Sequence, residues 1–338
     1  MRVAFLHKDL PCGKFGGVTN QVHFLANELA RAGHDVKVYT FSSAPSNALY
    51  KVEKIGRIEN KFSYHFKPPI VYSLQKIRAD IIHSHGDDAF VFKKPKVRTF
   101  YGSALAEAIY SRSLKISTYQ FINYVLELIS SLSASFRVAC STFTKKFLPI
   151  NRVIPCCFPK EIFYPGKKSK YPSVLFVGTM YGRKRGNIAI REFEKVKKEV
   201  KKAEMWFVCS DDKSYKYKKY DGITFYRNLP FTKLSELYRR AWIFCSTSSY
   251  EGFGVPYIES MASGTAVVTT NNPGAEEILC GGKYGVICLE NEIHKNIIRL
   301  IENKNERKKL EDMNIEVVQK YRAENVARQY IEIYESLL

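Results

Sequence analysis

Runs of β-branched and aromatic residues alternate with segments of helical period along almost the whole chain, starting with a strand over residues 3–7. A helix over 18–32, closed by Gly33, and a second strand over 36–41 follow. Residues 80–83, 97–100 and 137–140 continue the series as strands. Between 150 and 172 the pattern breaks into Pro155, Pro159, Pro165, Gly166 and Pro172, the composition of a linker. A second series then opens at 173–178 and runs through strands at 205–209, 223–226, 242–246, 266–270 and 285–288. Such alternation builds parallel sheets with crossover helices, so the fold class is α/β. Beyond Glu290 the chain reads as helix, with Tyr321, Val326, Tyr330, Ile333 and Tyr334 in one apolar stripe that needs a surface to bury against.

Length and composition sharpen this picture. At 338 residues the chain suits two domains, and 45% hydrophobic content supplies their cores. The 53 Lys and Arg against 33 Asp and Glu leave a formal net charge of +20, heaviest over residues 1–160. That field suits nucleotides, anionic lipids or nucleic acid, and its sign does not choose among them. No run of eighteen apolar residues suggests a membrane span, and residues 1–6 are too short for a signal peptide, so a cytoplasmic protein is expected. The eight cysteines include no CxxC pair. Cys209, Cys245 and Cys288 sit in apolar runs as reduced core thiols do, and adjacent Cys156 and Cys157 lack zinc-ligand spacing.

Candidate chemistry is densest over residues 248–268. Ser248, Ser249, Tyr250, Glu251, Gly252, Phe253, Gly254 and Val255 lead from a strand into a helix, and Glu259 follows Glu251 by eight positions. Gly252 and Gly254 allow backbone N–H groups close to a ligand, and the helix start favours phosphate. With two carboxylates free to accept from hydroxyls, the segment reads as a nucleotide-sugar site. At the head of the second series, a loop from Gly178 through Thr179 and Gly182 to Gly186 carries Arg183, Lys184 and Arg185, cations suited to a diphosphate leaving group.

Other motifs are weaker. The loop with Gly13, Lys14, Phe15, Gly16 and Gly17 follows the first strand, but its spacing is not G-x-G-x-x-G and no acidic residue ends the second strand, which argues against a dinucleotide site. His83 and His85 stand at a strand's C-terminal end, where side chains of α/β sheets face ligands. Asp87-Asp88 and Asp211-Asp212 diverge and lack further ligands, so no metal site is expected. The basic, aromatic run 213–220 has the composition that stacks on bases or touches lipid head groups.

The segment from Glu251 to Glu259, set between the strand at 242 and the one ending at 270, resembles the E-x7-E signature of retaining glycosyltransferases of the GT-B fold, family 4, the glycosyl transferases group 1. The resemblance implies two Rossmann-like doubly wound domains facing a central cleft. Residues 1–160 would bind the acceptor and 161–315 the nucleotide sugar, with a helix over 316–338 crossing back to the first domain. It assigns Glu251, Arg183 and Lys184 to catalysis. Gly16, Gly17, Gly178, Ser248, Gly252, Phe253, Gly254, Val255 and Glu259 go to donor binding, and His83, His85 and Tyr101 to the cleft. Glu276 or Glu277 matches a further acidic position. The implied activity is metal-independent, hexosyltransferase-like transfer from a nucleotide diphosphate sugar to a glycan, lipid-linked or small-molecule acceptor, with no other cofactor.

Two positions depart from the family pattern. Thr179 stands where an arginine is usual, and Tyr101 where many relatives have a histidine. A phenol titrates near pH 10 and is no acid–base group at neutral pH. A sugar-nucleotide epimerase, a phosphorylase and a non-catalytic basic protein that binds membrane or nucleic acid remain as alternatives, nucleic acid being the less favoured partner. The segment 110–136, with Arg112 and Lys115 near its start, suits docking on an anionic membrane at the cytoplasmic face.

Overall fold

A parallel strand covered on both faces needs apolar residues at nearly every position, and β1 (Arg2–Leu6) has Val3, Ala4, Phe5 and Leu6 all buried. The computed structural model describes residues 1–12, 16–58, 61–111, 113–209, 220–227 and 229–338, with backbone alone at 61–63 and 65–66. Lys14, Arg112, the Asp211-Asp212 pair and the basic run from 213 to 219 lie outside these residues.

The chain forms two units, Met1–Cys157 with Tyr321–Leu338, and Phe158–Lys320. Unit 1 continues with α1 (Gly17–Arg31), β2 (Asp35–Thr40), β3 (Lys51–Lys54), α2 (Lys61–Leu74), β4 (Ile81–Ser84), β5 (Lys96–Phe100), α3 (Ala104–Tyr110), α4 (Leu114–Ser133), β6 (Phe136–Ala139) and β7 (Arg152–Val153). Its seven strands lie in the order β3-β2-β1-β4-β5-β6-β7, every neighbouring pair parallel.

Unit 2 contains β8 (Ser173–Val177), α5 (Gly186–Glu199), β9 (Glu204–Val208), β10 (Ile223–Tyr226), α6 (Phe231–Arg240), β11 (Ile243–Ser246), α7 (Val255–Ala262), β12 (Ala266–Thr270), α8 (Pro273–Ile278), β13 (Val286–Cys288), α9 (Ile293–Glu302) and α10 (Lys304–Val317). Its six strands run β10-β9-β8-β11-β12-β13, again all parallel. Phe176, Phe193, Phe207, Ile243 and Val268 belong to the core on one side of this sheet.

The last helix, α11 (Ala323–Ser336), belongs to unit 1 and packs against α1. Its stripe residues Val326, Tyr330, Ile333 and Tyr334 are buried. Two of them end in hydroxyls that need partners. Tyr334 Oη lies 2.5 Å from His83 Nδ1, His83 Nε2 lies 2.8 Å from Thr99 Oγ1, and Tyr330 Oη lies 3.0 Å from that same oxygen. Burial, helped by the Arg98 charge, lowers the His83 pKa to about 3, so the ring is neutral, with one nitrogen donating and the other accepting. His83 is therefore a structural histidine. The expectation that it faces a ligand is corrected, because both ring nitrogens are taken and the side chain is fully buried.

Replacing Tyr334 by Phe leaves a buried imidazole nitrogen without its partner and should cost about 1–3 kcal/mol. Tyr334→Ala adds a cavity, for a total of about 3–5 kcal/mol. Denaturant unfolding of both variants is the check, and a Tyr334→Phe protein as stable as the parent would show that the hydroxyl contributes nothing.

Candidate functional site

The strand order of unit 2 reverses direction between β8 and β11, which are hydrogen-bonded neighbours. Loops leaving the carboxyl ends of two such strands emerge side by side, the place where open α/β sheets hold ligands. Here the loop after β8 brings Arg183 and Lys184, and the loop after β11 brings Glu251. Arg183 Nη1 donates to Glu251 Oε2 at 2.8 Å and to the Tyr250 carbonyl at 2.9 Å. Lys184 Nζ donates to Glu251 Oε1 at 2.5 Å. Backbone contacts fasten the loops to each other. Ser249 N–H donates to the Arg183 carbonyl, and Thr247 Oγ1 donates to the carbonyls of Lys184 and Arg185.

Burial alone would push the Glu251 carboxyl up. The Lys184 and Arg183 charges, with hydrogen bonds from Lys184 and Ser248, more than reverse this and hold it at about 2. Glu251 is thus an ionised carboxylate with both oxygens engaged, not the free acceptor the sequence suggests. Arg185 differs from its two neighbours. It adopts the left-handed conformation at φ 51°, its Nε donates to the Thr247 carbonyl at 2.6 Å, and it pairs with Glu290. The third cation of the loop therefore serves the scaffold. Thr179, where the resemblance leads one to expect arginine, turns its hydroxyl to the Tyr181 carbonyl at 2.8 Å. Gly178 sits against the stem of Lys184.

Gly254 caps α7 at φ 101°, and a Cβ there would lie 2.4 Å from the Tyr257 ring, so both conformation and space require glycine. Phe253 is buried, while Gly252 and Val255 are partly exposed beside the helix start. One turn into α7, Glu259 is buried at 6% exposure. Burial raises its pKa to about 8 against the opposing pull of the Tyr238 hydroxyl and the Lys184 charge. At neutral pH this carboxyl is largely protonated and can donate a hydrogen bond, which corrects the expectation of two equivalent anions. Environment, not residue type, separates the pair.

Several supporting residues carry no motif. Asn272 accepts from Ala275 N–H at 3.0 Å and donates to Tyr257 Oη at 2.9 Å, fixing α8 against α7. Thr270 Oγ1 donates to the Ser248 carbonyl at 2.9 Å. Gly274 must lack a side chain, because a Cβ there would sit 2.4 Å from the Phe253 carbonyl oxygen and 2.9 Å from Glu251 Cβ. The Asn-Pro-Gly sequence signals a helix cap, which is the one trace of this contact in the sequence. Glu276 is exposed on α8 and Glu277 partly so.

The remaining expected residues belong to unit 1. Gly16 caps α1 in an extended conformation, and a Cβ at Gly17 would meet nothing within 4 Å. His85 Nδ1 lies 2.9 Å from Tyr101 Oη, and its Nε2 is buried without a hydrogen-bond partner among the described residues. Burial holds His85 well below, and Tyr101 well above, their ordinary values, so neither exchanges a proton near pH 7. Asp88 is buried between Lys96 at 2.9 Å and Arg98 at 3.1 Å, bound as a structural anion. Among the described residues, no group of three or more His, Cys, Asp or Glu is placed to hold a metal ion.

Two family models match the chain in succession, Glycosyltransferase Family 4 over residues 15–155 and Glycosyl transferases group 1 over residues 158–316. A probable sucrose-phosphate synthase of Thermosipho melanesiensis is 37% identical over 107 residues, which make up 30% of this chain and 25% of that relative's length. Among solved structures, sucrose-phosphate synthase from Thermosynechococcus elongatus superposes with a TM-score of 0.79 at 18% identity, covering 99% of this chain and 98% of that one. Anabaena HepE in complex with UDP-glucose gives 0.77 at 16% identity, covering both chains fully. At these identities the superpositions establish the fold.

The two glutamates set opposite pH dependences. Glu251, lowered from 4.5, stabilises the fold above that value, and the stabilisation is lost as pH falls toward 2. Glu259, raised from 4.5 to about 8, makes the folded state bind more protons than the unfolded one, so stability declines as pH rises between those values. Glu259→Gln should remove that decline, matching the parent near pH 5 and exceeding it at pH 8 by roughly 3–4 kcal/mol. Thermal unfolding across this range tests it, and parallel profiles for the two proteins would refute the protonated assignment.

Proposed function

The chain belongs to the glycosyl transferases of group 1 and is a glycosyltransferase of the GT-B fold, and we propose that it moves a sugar, with retention, from a nucleotide diphosphate sugar to a glycan or lipid-linked acceptor. The cluster of Arg183, Lys184 and Glu251 at the reversal of the unit 2 sheet carries this reading. Without donor, the two cations share the single carboxylate of Glu251 and keep one positive charge in excess. A diphosphate supplies stronger anionic oxygens, draws Lys184 and Arg183 to itself, and releases Glu251 to accept from a hydroxyl of the sugar. The same cations then stabilise the charge that develops as the sugar–phosphate bond breaks. A UDP-sugar is the donor class favoured, since HepE was solved with UDP-glucose.

Retention follows from attack on the face the diphosphate leaves, with the departing phosphate oxygen taking the acceptor's proton. Glu251, held near pKa 2 by two cations, is poorly suited to act as a covalent nucleophile, which supports this route over a glycosyl-enzyme intermediate. Protonated Glu259 would hydrogen-bond a ribose hydroxyl of the donor. No cofactor is needed, because cations and amides balance the diphosphate. The comparisons lend no support to an epimerase, a phosphorylase or a non-catalytic binding protein.

Glu251→Ala should lower turnover of the accepted UDP-sugar by about 10²-fold or more, as loss of a group acting in the transition state does. Glu259→Ala should act mainly on donor KM. Both are read by UDP release in the presence of EDTA. Near-parental turnover in a folded Glu251→Ala protein, or silence of the parent until Mg²⁺ is added, would overturn the mechanism.

The acceptor reading extends to a membrane at the cytoplasmic face. Along α4, Leu114, Phe121, Ile122, Val125 and Leu132 are exposed, an apolar face next to exposed Lys115. Among the described residues no helix is long and apolar enough to cross a membrane. An apolar face beside positive charge suits shallow insertion among anionic head groups, each nearby cation adding about 1 kcal/mol. Vesicles with anionic lipid should bind the protein and zwitterionic vesicles should not, with binding weakened by salt and by Phe121→Ser or Lys115→Glu. Equal binding to both vesicle types, or to neither, would remove the membrane from the proposal.

A further inference from the structure

Unit 2 contains a cavity of about 460 Å³ beside the amino ends of β11 and β12, whereas Arg183, Lys184 and Glu251 stand at the carboxyl ends of β8 and β11. The size falls within the range of small-molecule sites. Trp242 precedes β11, Ser263 and Gly264 precede β12, and the segment between the units adds Pro165, Gly166 and Lys168. The rest of the wall is one face of α10, because Lys304, Lys308, Glu311 and Ile315 recur at helical spacing.

Five charged side chains line this space, and their pairing leaves positive charge over. Arg307 is buried, with Nη1 donating to the Leu300 carbonyl at 2.5 Å and to the Ile301 carbonyl at 3.1 Å. Its Nε lies 3.6 Å from Glu311 Oε1, and its guanidinium sits 4.2 Å from the centre of the Trp242 ring. Arg307 and Glu311 therefore form a neutral piece of wall. Lys308 pairs with Asp312 at 2.7 Å. Two ammonium groups remain. That of Lys304 has neither an ion pair nor a hydrogen bond among the described residues. That of Lys168 reaches only neutral oxygens, Thr265 Oγ1 at 2.8 Å and the Ser263 carbonyl at 3.4 Å, so one of its three protons has no acceptor among the described residues. A half-buried ammonium without a counterion is costly, and an anion in the cavity would relieve it.

We propose that this cavity binds a small phosphate monoester, its dianionic head balanced by Lys168 and Lys304 and its organic part set against Trp242, Pro165 and Ile315. Two unpaired cations match a dianion, whereas the diester phosphates of lipids and nucleic acids carry one charge each. The cavity is much larger than a phosphate group alone, which leaves room for an organic part against the apolar wall. The proposal goes beyond sugar transfer and does not depend on it, since it rests on a different end of the unit 2 sheet. A ligand there cannot touch the donor cluster. It would act on that cluster only through β11 and α7, which lead from Trp242 toward the Glu251 loop and from that loop back to Ser263.

Proton linkage gives the site a signature. Burial, opposed by the Glu311 charge and aided by those of Arg307 and Lys308, lowers the Lys168 pKa to about 8. A bound dianion raises it again, so the complex keeps a proton that the free protein releases above that pH. A phosphate monoester, with its second pKa near 6, stays dianionic throughout. Affinity should therefore hold between pH 7 and 8 and fall by up to about tenfold per unit above that.

The test is calorimetric titration of the full chain with phenyl phosphate and with its monoanionic methyl ester. Phenyl phosphate should bind, the methyl ester at least tenfold more weakly. Lys168→Met and Lys304→Gln should each weaken phenyl phosphate fivefold or more, and the loss of affinity above pH 8 should disappear in Lys168→Met. Lys304 is exposed at the start of α10, so its replacement keeps the test valid even if the Lys168 variant does not fold. Binding should survive in an Arg183→Ala, Lys184→Ala double variant, which separates this cavity from the donor site. No binding of phenyl phosphate at millimolar concentration, equal binding of the methyl ester, parental affinity in both folded lysine variants, or loss of binding in the double variant would each overturn the proposal.

Discussion

The contact on which the unit 2 site depends is the one between Glu251 and its two cations, and sheet topology makes it possible. In an all-parallel sheet successive strands point the same way, so every βα loop emerges at one end. Where the strand order reverses, the crossovers on either side depart in opposite directions and leave a gap. β8 and β11 flank that gap in unit 2. Residues separated by 67 and 68 positions in the chain thereby come within hydrogen-bond distance. The surrounding structure is organised to keep them there, with Thr247 bonded to the cationic loop, Gly274 allowing α8 close to Glu251, and Asn272 tying α8 to α7.

An ion cluster of this sort, with Glu251 buried and its two cations reaching solvent, contributes less to stability than its short distances suggest, because the carboxylate's desolvation and the screening of the cations offset much of the attraction. Removing one member is another matter, since it strands the others. On the proposed reading the cluster stores a charge arrangement that a diphosphate can take over without reorganising the loops. Glu259 illustrates the complementary principle. It lies eight residues away, is equally buried at 6%, and is raised to about 8 where Glu251 is held at about 2. The separation between these carboxyls arises because Lys184 and Arg183 pair with one of them and not with the other.

Unit 1 solves a different problem, the presence of polar residues in a parallel sheet that should be apolar throughout. Lys96 and Arg98 stand in β5 and are buried, satisfied by Asp88, Ser130 and Ser133. His83 is satisfied by a tyrosine that arrives from α11, 251 residues further along the chain. The final helix is thus part of the polar interior of unit 1 as well as its apolar cover. His85, one strand position beyond β4, pairs one ring nitrogen with Tyr101 and leaves the other buried without a hydrogen-bond partner among the described residues, so the two histidines of one motif differ in how fully they are satisfied.

The chain's periodicity determined the α/β class and most strand positions. The run at 266–270 coincides with β12 (Ala266–Thr270), which is buried throughout as a strand covered on both faces must be, and the run at 223–226 with the edge strand β10 (Ile223–Tyr226), legible from its β-branched and aromatic residues. The glycine-rich segment around Glu251 was legible for a similar reason, since Gly254 needs a backbone conformation open mainly to glycine. Residues 44–75 carry no such signal. β3 (Lys51–Lys54) is a polar edge strand, and α2 (Lys61–Leu74) contains Pro68 and Pro69, which local propensity would exclude from a helix. Tertiary structure alone decided which charges meet. The sequence lists Arg183, Lys184, Arg185, Glu251 and Glu259 without saying that two of the cations hold one glutamate, that the third turns to Glu290, and that the other glutamate keeps its proton. Those outcomes depend on distance and burial between segments far apart in the chain, which no local pattern records.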